Sequence, residues 1–121
     1  MYHHATAIAL IESTFPALAA DLNDELNTGL LHPQIWEFAN HAQSVIDATD
    51  RAGWELVIKT FMALWLDCDD AVRNALNVSF LEHLNFRDGR IDRRWAFEGM
   101  PSTMREAWCA MDAYNRRIHG G

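Results

Sequence analysis

Two cysteines in 121 residues, Cys68 and Cys109, are too few for a disulfide framework. Both sit in apolar or helical surroundings, where a free thiol behaves as a small hydrophobe. Positive charge is scarce too: ten Lys and Arg face seventeen Asp and Glu, a formal net charge of −7. Nonspecific nucleic-acid binding needs clustered cations against phosphate, so that class is disfavoured, and anionic membrane surfaces with it. The longest strongly apolar run, Phe61 to Leu66, is only six residues, against about twenty for a transmembrane helix. Ala5 to Ile11 is short and ends at Glu12, so it does not read as a secretory leader. A cytoplasmic protein is the economical expectation. Strand-like alternation of useful length is also missing, as is any linker-like stretch that would divide the chain.

Chemistry-bearing motifs are equally sparse. Neither a His-Glu-x-x-His pattern nor paired cysteine hooks occur, and the Glu-x-x-His arrangement of di-metal bundles is absent. Glu37 and His41 share a helical face, and His3-His4 could add ligands, but an ordinary surface pair explains them with less. Asp67, Asp69 and Asp70 lack the twelve-residue, glycine-centred run of a helix-loop-helix calcium site. Cys68 has no histidine at helical spacing, and Ser79 and His83, four apart, have Glu82 adjacent rather than opposed. No catalytic residue, no metal and no cofactor is therefore assigned.

What is present is apolar bulk. Half the residues are hydrophobic, with five Trp, six Phe and five Met, enough for one core at this length without a metal or disulfide. The periodicity is helical throughout. Ala5 to Glu12 reads as a short first helix. Pro16 opens a second that runs to about Asn27, with Leu18, Leu22 and Leu26 on one face and Thr28-Gly29 as its stop. Ile35, Phe38, Ala39, Ala42, Val45 and Ile46 trace a third. Gly53 breaks the pattern, and Trp54 to Asp67 follows, apolar around most of its circumference and so expected to be wrapped by its neighbours. The acidic break Asp67-Cys68-Asp69-Asp70 offers Asp69 or Asp70 as a cap for the next helix. There Val72, Leu76, Phe80 and Leu84 recur every four residues. Gly89 to Gly99 is the least regular part, with room for one brief helical turn. The last helix opens at Pro101-Ser102-Thr103 and carries Met104, Trp108, Met111, Asn115 and Ile118. The expected fold is all-α: one compact domain of five to six helices over residues 1–121, with 119–121 as a loose tail.

Charge is unevenly placed. Met1 to Asp70 holds eleven acids and two bases, whereas Ala71 to Gly121 holds six acids and eight bases. Such asymmetry either steers a basic partner to the N-terminal half or draws the two halves together. Candidate partner-binding residues are Asp21, Asp24 and Glu25, Asp67, Asp69 and Asp70, and Trp36, which is one ring too many for the apolar stripe beside it. Arg87, Arg90, Arg93 and Arg94, with Phe86 and Trp95, form a basic and aromatic patch suited to phosphate or to acidic groups. Pairing with the acidic half is the alternative for these arginines.

The stretch Asp70 to Phe86, DAVRNALNVSFLEHLNF, resembles the signature stretch of small all-helical bacterial proteins, some of which sit beside secreted toxins as immunity partners. Trp95 and the Met100-Pro101 step extend the likeness to about a third of the chain. Its helix pair is also similar to HEAT-like repeats, although one pair without a sustained period is not a solenoid. The resemblance implies a binding function without chemistry: a protein partner, in the immunity case a basic toxin, and no nucleic acid or membrane. Two alternatives stand beside it. One is a small metal-binding or catalytic helical bundle; the other is a homo-oligomeric scaffold, a homodimer for instance, with Trp54 or Trp108 buried between copies.

Overall fold

The computed structural model describes residues 1–87 and 92–118. Among the described residues it is all-α, with seven helices and no strand beyond one isolated bridge. The chain runs through α1 (His4–Thr14), α2 (Ala19–Leu22), α3 (Leu31–Asp47), α4 (Arg51–Trp65), α5 (Asp70–Ala75), α6 (Arg94–Gly99) and α7 (Ser102–Ile118). Three of the seven, α2, α5 and α6, are short pieces of four to six residues. The proposed tail at 119–121 and part of the irregular Gly89 to Gly99 stretch lie outside the described residues; α6 supplies the helical turn expected there.

The hub is α3, which packs against α1, α2, α4, α5 and the turns after α5. Ile35, Phe38, Ala39, Ala42 and Ile46 are fully buried, as their spacing predicts. A chain of rings crosses the middle of the molecule. Phe15 meets Phe38 at 5.7 Å, Phe38 stacks on Phe80 at 4.7 Å, Phe80 on Phe61 at 5.2 Å, and Phe61 on Trp65 at 5.4 Å. A second knot joins α4 to the C-terminal helices, with Phe86 touching Trp54, Phe97 and Trp108. The indole N–H of Trp54 donates to the Ala96 carbonyl at 2.9 Å, and that of Trp108 to the Leu84 carbonyl at 3.3 Å. Both tryptophans are thus buried within one chain, and neither is available to be buried between copies.

Three sequence expectations need correction. The second helix stops at Leu22 instead of reaching Asn27, because polar side chains there compete for the backbone. Asn23 turns its amide back onto the Ala19 carbonyl (2.8 Å) and the Glu12 carboxylate (3.0 Å), and the Asp24 carboxylate accepts from the Leu26 N–H (2.8 Å). Leu26 is therefore 80% exposed rather than part of a core stripe. Gly29, with φ +76°, takes the left-handed turn that leads into α3. Secondly, α4 begins at Arg51, with Gly53 inside its first turn, because Asp50 caps it by accepting from the Gly53 N–H at 2.9 Å. Thirdly, α4 is not wrapped on all sides. Trp54, Val57, Thr60, Phe61 and Leu64 face the core, but Leu56 and Leu66 face solvent. Among the described residues α1, α3 and α5 pack along it and α6 meets its first turns at Arg51 and Trp54, which leaves its outer side open.

Helix α5 continues through a π-helical turn, Leu76–Phe80, and a 3-10 turn, Leu81–His83. Val72, Leu76, Phe80 and Leu84 are all buried along this path. In an α-helix a four-residue step overshoots one turn; in the wider π turn it falls short. The two errors offset each other and keep the residues on one face.

Candidate partner-binding surface

On α3, Trp36 lies one position away from buried Ile35, about 100° around the helix, and this rotation carries it off the core stripe. It is 44% exposed. Its ring meets the imidazole of His83 at 5.2 Å, and with His32, Pro33 and Ser79 it lines a shallow hollow of about 360 Å³. Two histidine contacts flank it. His32 Nδ1 lies 2.8 Å from Ser79 Oγ, and His83 Nε2 lies 2.9 Å from Asn40 Oδ1. His32, Trp36 and Asn40 are spaced by four on α3, facing Ser79 and His83, spaced by four on the opposite segment.

This polar seam continues along the helix. Gln43 exchanges two hydrogen bonds with the Asn85 backbone, at 2.8 and 3.2 Å, and Asp47 pairs with Arg93 at 2.7 Å. Sequence reasoning missed the seam because its two sides lie more than forty residues apart. It paired Ser79 with His83, whereas the structure gives each a different partner on α3. A rotational offset of four-spaced polar residues beside an apolar stripe was the available signal.

The acids fall into two groups that no hydrogen bond or ion pair joins among the described residues. Asp21, Asp24 and Glu25 are exposed in and after α2. The segment 23–30, which holds Asp24 and Glu25, also exposes Leu26 and Leu30, and Asn27 ties it to α3 by donating to Glu37 at 3.4 Å. The acidic break, in contrast, is engaged by the fold. Asp69 caps α5 by accepting from the Val72 N–H at 2.9 Å, and Asp67 lies 3.6 Å from the N-terminal ammonium. The backbone of Tyr2 bonds across the same break, its N–H to the Asp67 carbonyl (2.7 Å) and its carbonyl to the Asp69 N–H (2.9 Å). Asp70 is exposed in the first turn of α5.

The arginines separate as well. Arg93 is buried against Asp47, so it joins the two halves of the chain and presents no open cation. Arg87 forms a two-pronged pair with Asp112, at 2.5 and 3.2 Å, which Arg116 also contacts at 3.3 Å. Arg94 is exposed, and Arg90 lies outside the described residues. Trp95 lies under the Arg51 guanidinium, 4.7 Å from its ring centre, away from the patch expected for it.

Glu37 and His41 do not converge on a common point. Glu37 accepts from Asn27, while His41 packs its ring 4.8 Å from Phe15. Burial pushes the His41 imidazole below its usual pKa, partly opposed by the charge of Asp50. Among the described residues no group of three or more His, Cys, Asp or Glu is placed to hold a metal ion, and no single helix is long and apolar enough to cross a membrane. Ser79 and His32 form a hydroxyl–imidazole pair with no carboxylate bonded to the imidazole among the described residues, so the orienting group of a nucleophilic relay is not in place.

No functionally curated protein and no solved structure matches the chain. One family model does, over residues 8–116, a span that runs from α1 to α7 and contains the whole Trp36 seam. The chain belongs to that family, described as a domain of unknown function, DUF7674.

Proposed function

We propose that this chain is a non-enzymatic protein-binding domain whose partner is a basic protein, in the manner of an immunity protein that neutralises a bacterial toxin. The observation that carries this reading is Trp36, a large ring left 44% exposed on the central helix of the fold. Exposed tryptophans on a fixed backbone are the residues that dominate binding hot spots. The 23–30 segment, tied to the same helix through Asn27 and Glu37, adds Leu26 and Leu30 as exposed apolar area and holds two of the acids, Asp24 and Glu25. Acids steer a basic partner during encounter, while a ring that becomes fully buried holds the complex once formed. The same reading has the protein meet its partner in the cytoplasm.

Calorimetric titration against the product of the adjacent gene, and against a set of basic secreted nucleases, tests this. Trp36→Ala is expected to weaken binding about thirtyfold, the loss of a hot-spot anchor. Reversal of Asp21, Asp24 and Glu25 to Lys is expected to weaken binding about tenfold at low salt, through slower association, and little at high salt. Asp67, Asp69 and Asp70, reversed separately, report whether the second acidic group takes part. Unchanged affinity in all three variants, or the absence of any binding partner in both arms, refutes the proposal.

A further inference from the structure

Beyond partner binding, and on different elements, a hollow of about 420 Å³ opens between the segment after α5 and helices α6 and α7. Its walls are Phe86, Phe97 and Trp108, which meet pairwise edge to face with ring centres 5.2 to 5.8 Å apart. Phe86 and Phe97 are only half-buried, so ring surface remains open to the hollow. The volume lies within the roughly 300–1,000 Å³ of small-molecule sites.

Charge distinguishes this hollow from two others among the described residues. Arg87, Arg94 and Asp112 line it, and the Asp112 carboxylate is already shared by Arg87 and Arg116. The Arg87 guanidinium also lies over the Trp108 ring, 5.4 Å from its centre, so it is held in place. Among the described residues no carboxylate pairs with the Arg94 guanidinium, although the Asp92 carboxylate accepts from the Arg94 backbone N–H at 3.1 Å, so the lining residues carry two positive charges against one negative on a protein of net charge −7. The hollow beside Trp95 holds about 130 Å³, and there Glu55 balances Arg51. The hollow between Trp65 and Tyr114 contains Glu82 and no cation.

We propose that the Phe86–Phe97–Trp108 hollow binds a flat aromatic anion, its ring against the aromatic walls and its carboxylate or phosphate head on the Arg94 guanidinium. A planar guanidinium fork matches either head in geometry. Cys109 lines the same hollow and marks its occupancy, whereas Cys68 lies at the Tyr2 bridge, away from it.

The experiment uses the full chain with 2-naphthoate, 1-naphthyl phosphate and the neutral 2-naphthamide as probes. Titration is followed by calorimetry, and iodoacetamide labelling of Cys109 and Cys68 is followed by peptide mass. At least one anion is expected to bind, with the amide about tenfold weaker or worse; which anion binds identifies the head group. Saturation is expected to slow Cys109 labelling severalfold and leave Cys68 unchanged. Arg94→Gln, at an exposed position whose side chain makes no hydrogen bond or ion pair among the described residues, is expected to weaken the anion about tenfold with an unchanged melting temperature. Arg51→Gln, at the charge-balanced hollow beside Trp95, is expected to leave it unaltered. Equal affinity for the amide, an unprotected Cys109 under saturating anion, or full binding by Arg94→Gln overturns the proposal, as does failure of both anions to bind. Loss of toxin binding leaves these outcomes untouched, because none involves Trp36.

Discussion

Gly53→Ala at the start of α4 sets two effects of similar size against each other. Alanine is favoured over glycine within a helix by about 1 kcal/mol, so propensity alone predicts a more stable protein. The geometry predicts the reverse. A Cβ on Gly53 would lie 2.5 Å from Asp50 Oδ2 and 3.0 Å from Val45 Cγ1. The Asp50 carboxylate must swing away, giving up its 2.9 Å bond to the Gly53 N–H. Losing such a cap costs about 1 kcal/mol, up to ~2. Val45 is buried and yields only at an overpacking cost of about 1 kcal/mol or more. The net expectation is a loss of about 1 kcal/mol, or roughly 4 °C in melting temperature at this chain length. Urea unfolding followed by far-UV circular dichroism measures it. The decisive comparison repeats the substitution in an Asp50→Ala background, where cap and carboxylate clash are already gone. There alanine is expected to recover part of its propensity advantage, so the two changes couple by about 1 kcal/mol or more. A stabilised Gly53→Ala single variant, with no coupling to Asp50, refutes the reasoning.

The same α3–α4 corner holds Thr49 at φ +53°, a left-handed conformation that is costly for a β-branched residue. Thr49 is exposed, so Thr49→Gly sacrifices no core packing. It is expected to raise stability by about 0.5–1 kcal/mol in the same urea assay, after the added freedom of the unfolded chain is subtracted. His41 gives a pH dependence of definite sign. Burial lowers its pKa in the folded state below the ordinary 6.5, so between the folded value and 6.5 the unfolded chain binds more protons. Stability from this residue is then complete above 6.5 and declines as pH falls towards the folded value. Unfolding series across that range are expected to show a steeper acid-side loss in the native protein than in His41→Gln, and identical slopes would contradict the assignment.

Helix class and core were legible in the sequence where one element supplies its own periodic signal. The α3 stripe is buried as its spacing dictates, as are Met104, Trp108 and Met111 on α7. Asp69 caps α5, as an acid before an apolar run suggests. Reading failed where backbone competition or long-range pairing decides. The Asn23 and Asp24 side chains ended α2 at Leu22, five residues before the expected end at Asn27, which turned Leu26 outward. At the far end of α7, Ile118 keeps the period of the stripe yet is 56% exposed, because the stripe outlasts the elements that cover it. The candidate surface was half legible. Trp36 stood out as one ring in excess of the stripe, but its seam with Ser79 and His83 depends on a π turn for which composition offers no cue.

That seam bears on how firmly the proposed partner would be gripped. A flexible indole on a surface helix forfeits its rotational freedom only when captured, and complexes lose about 0.5–1.5 kcal/mol for each side chain frozen in this way. With imidazoles bracketing it and one of them against its ring, Trp36 has surrendered much of that freedom during folding. Docking on such a pre-set ring should show up as slow departure of the partner more than as faster arrival.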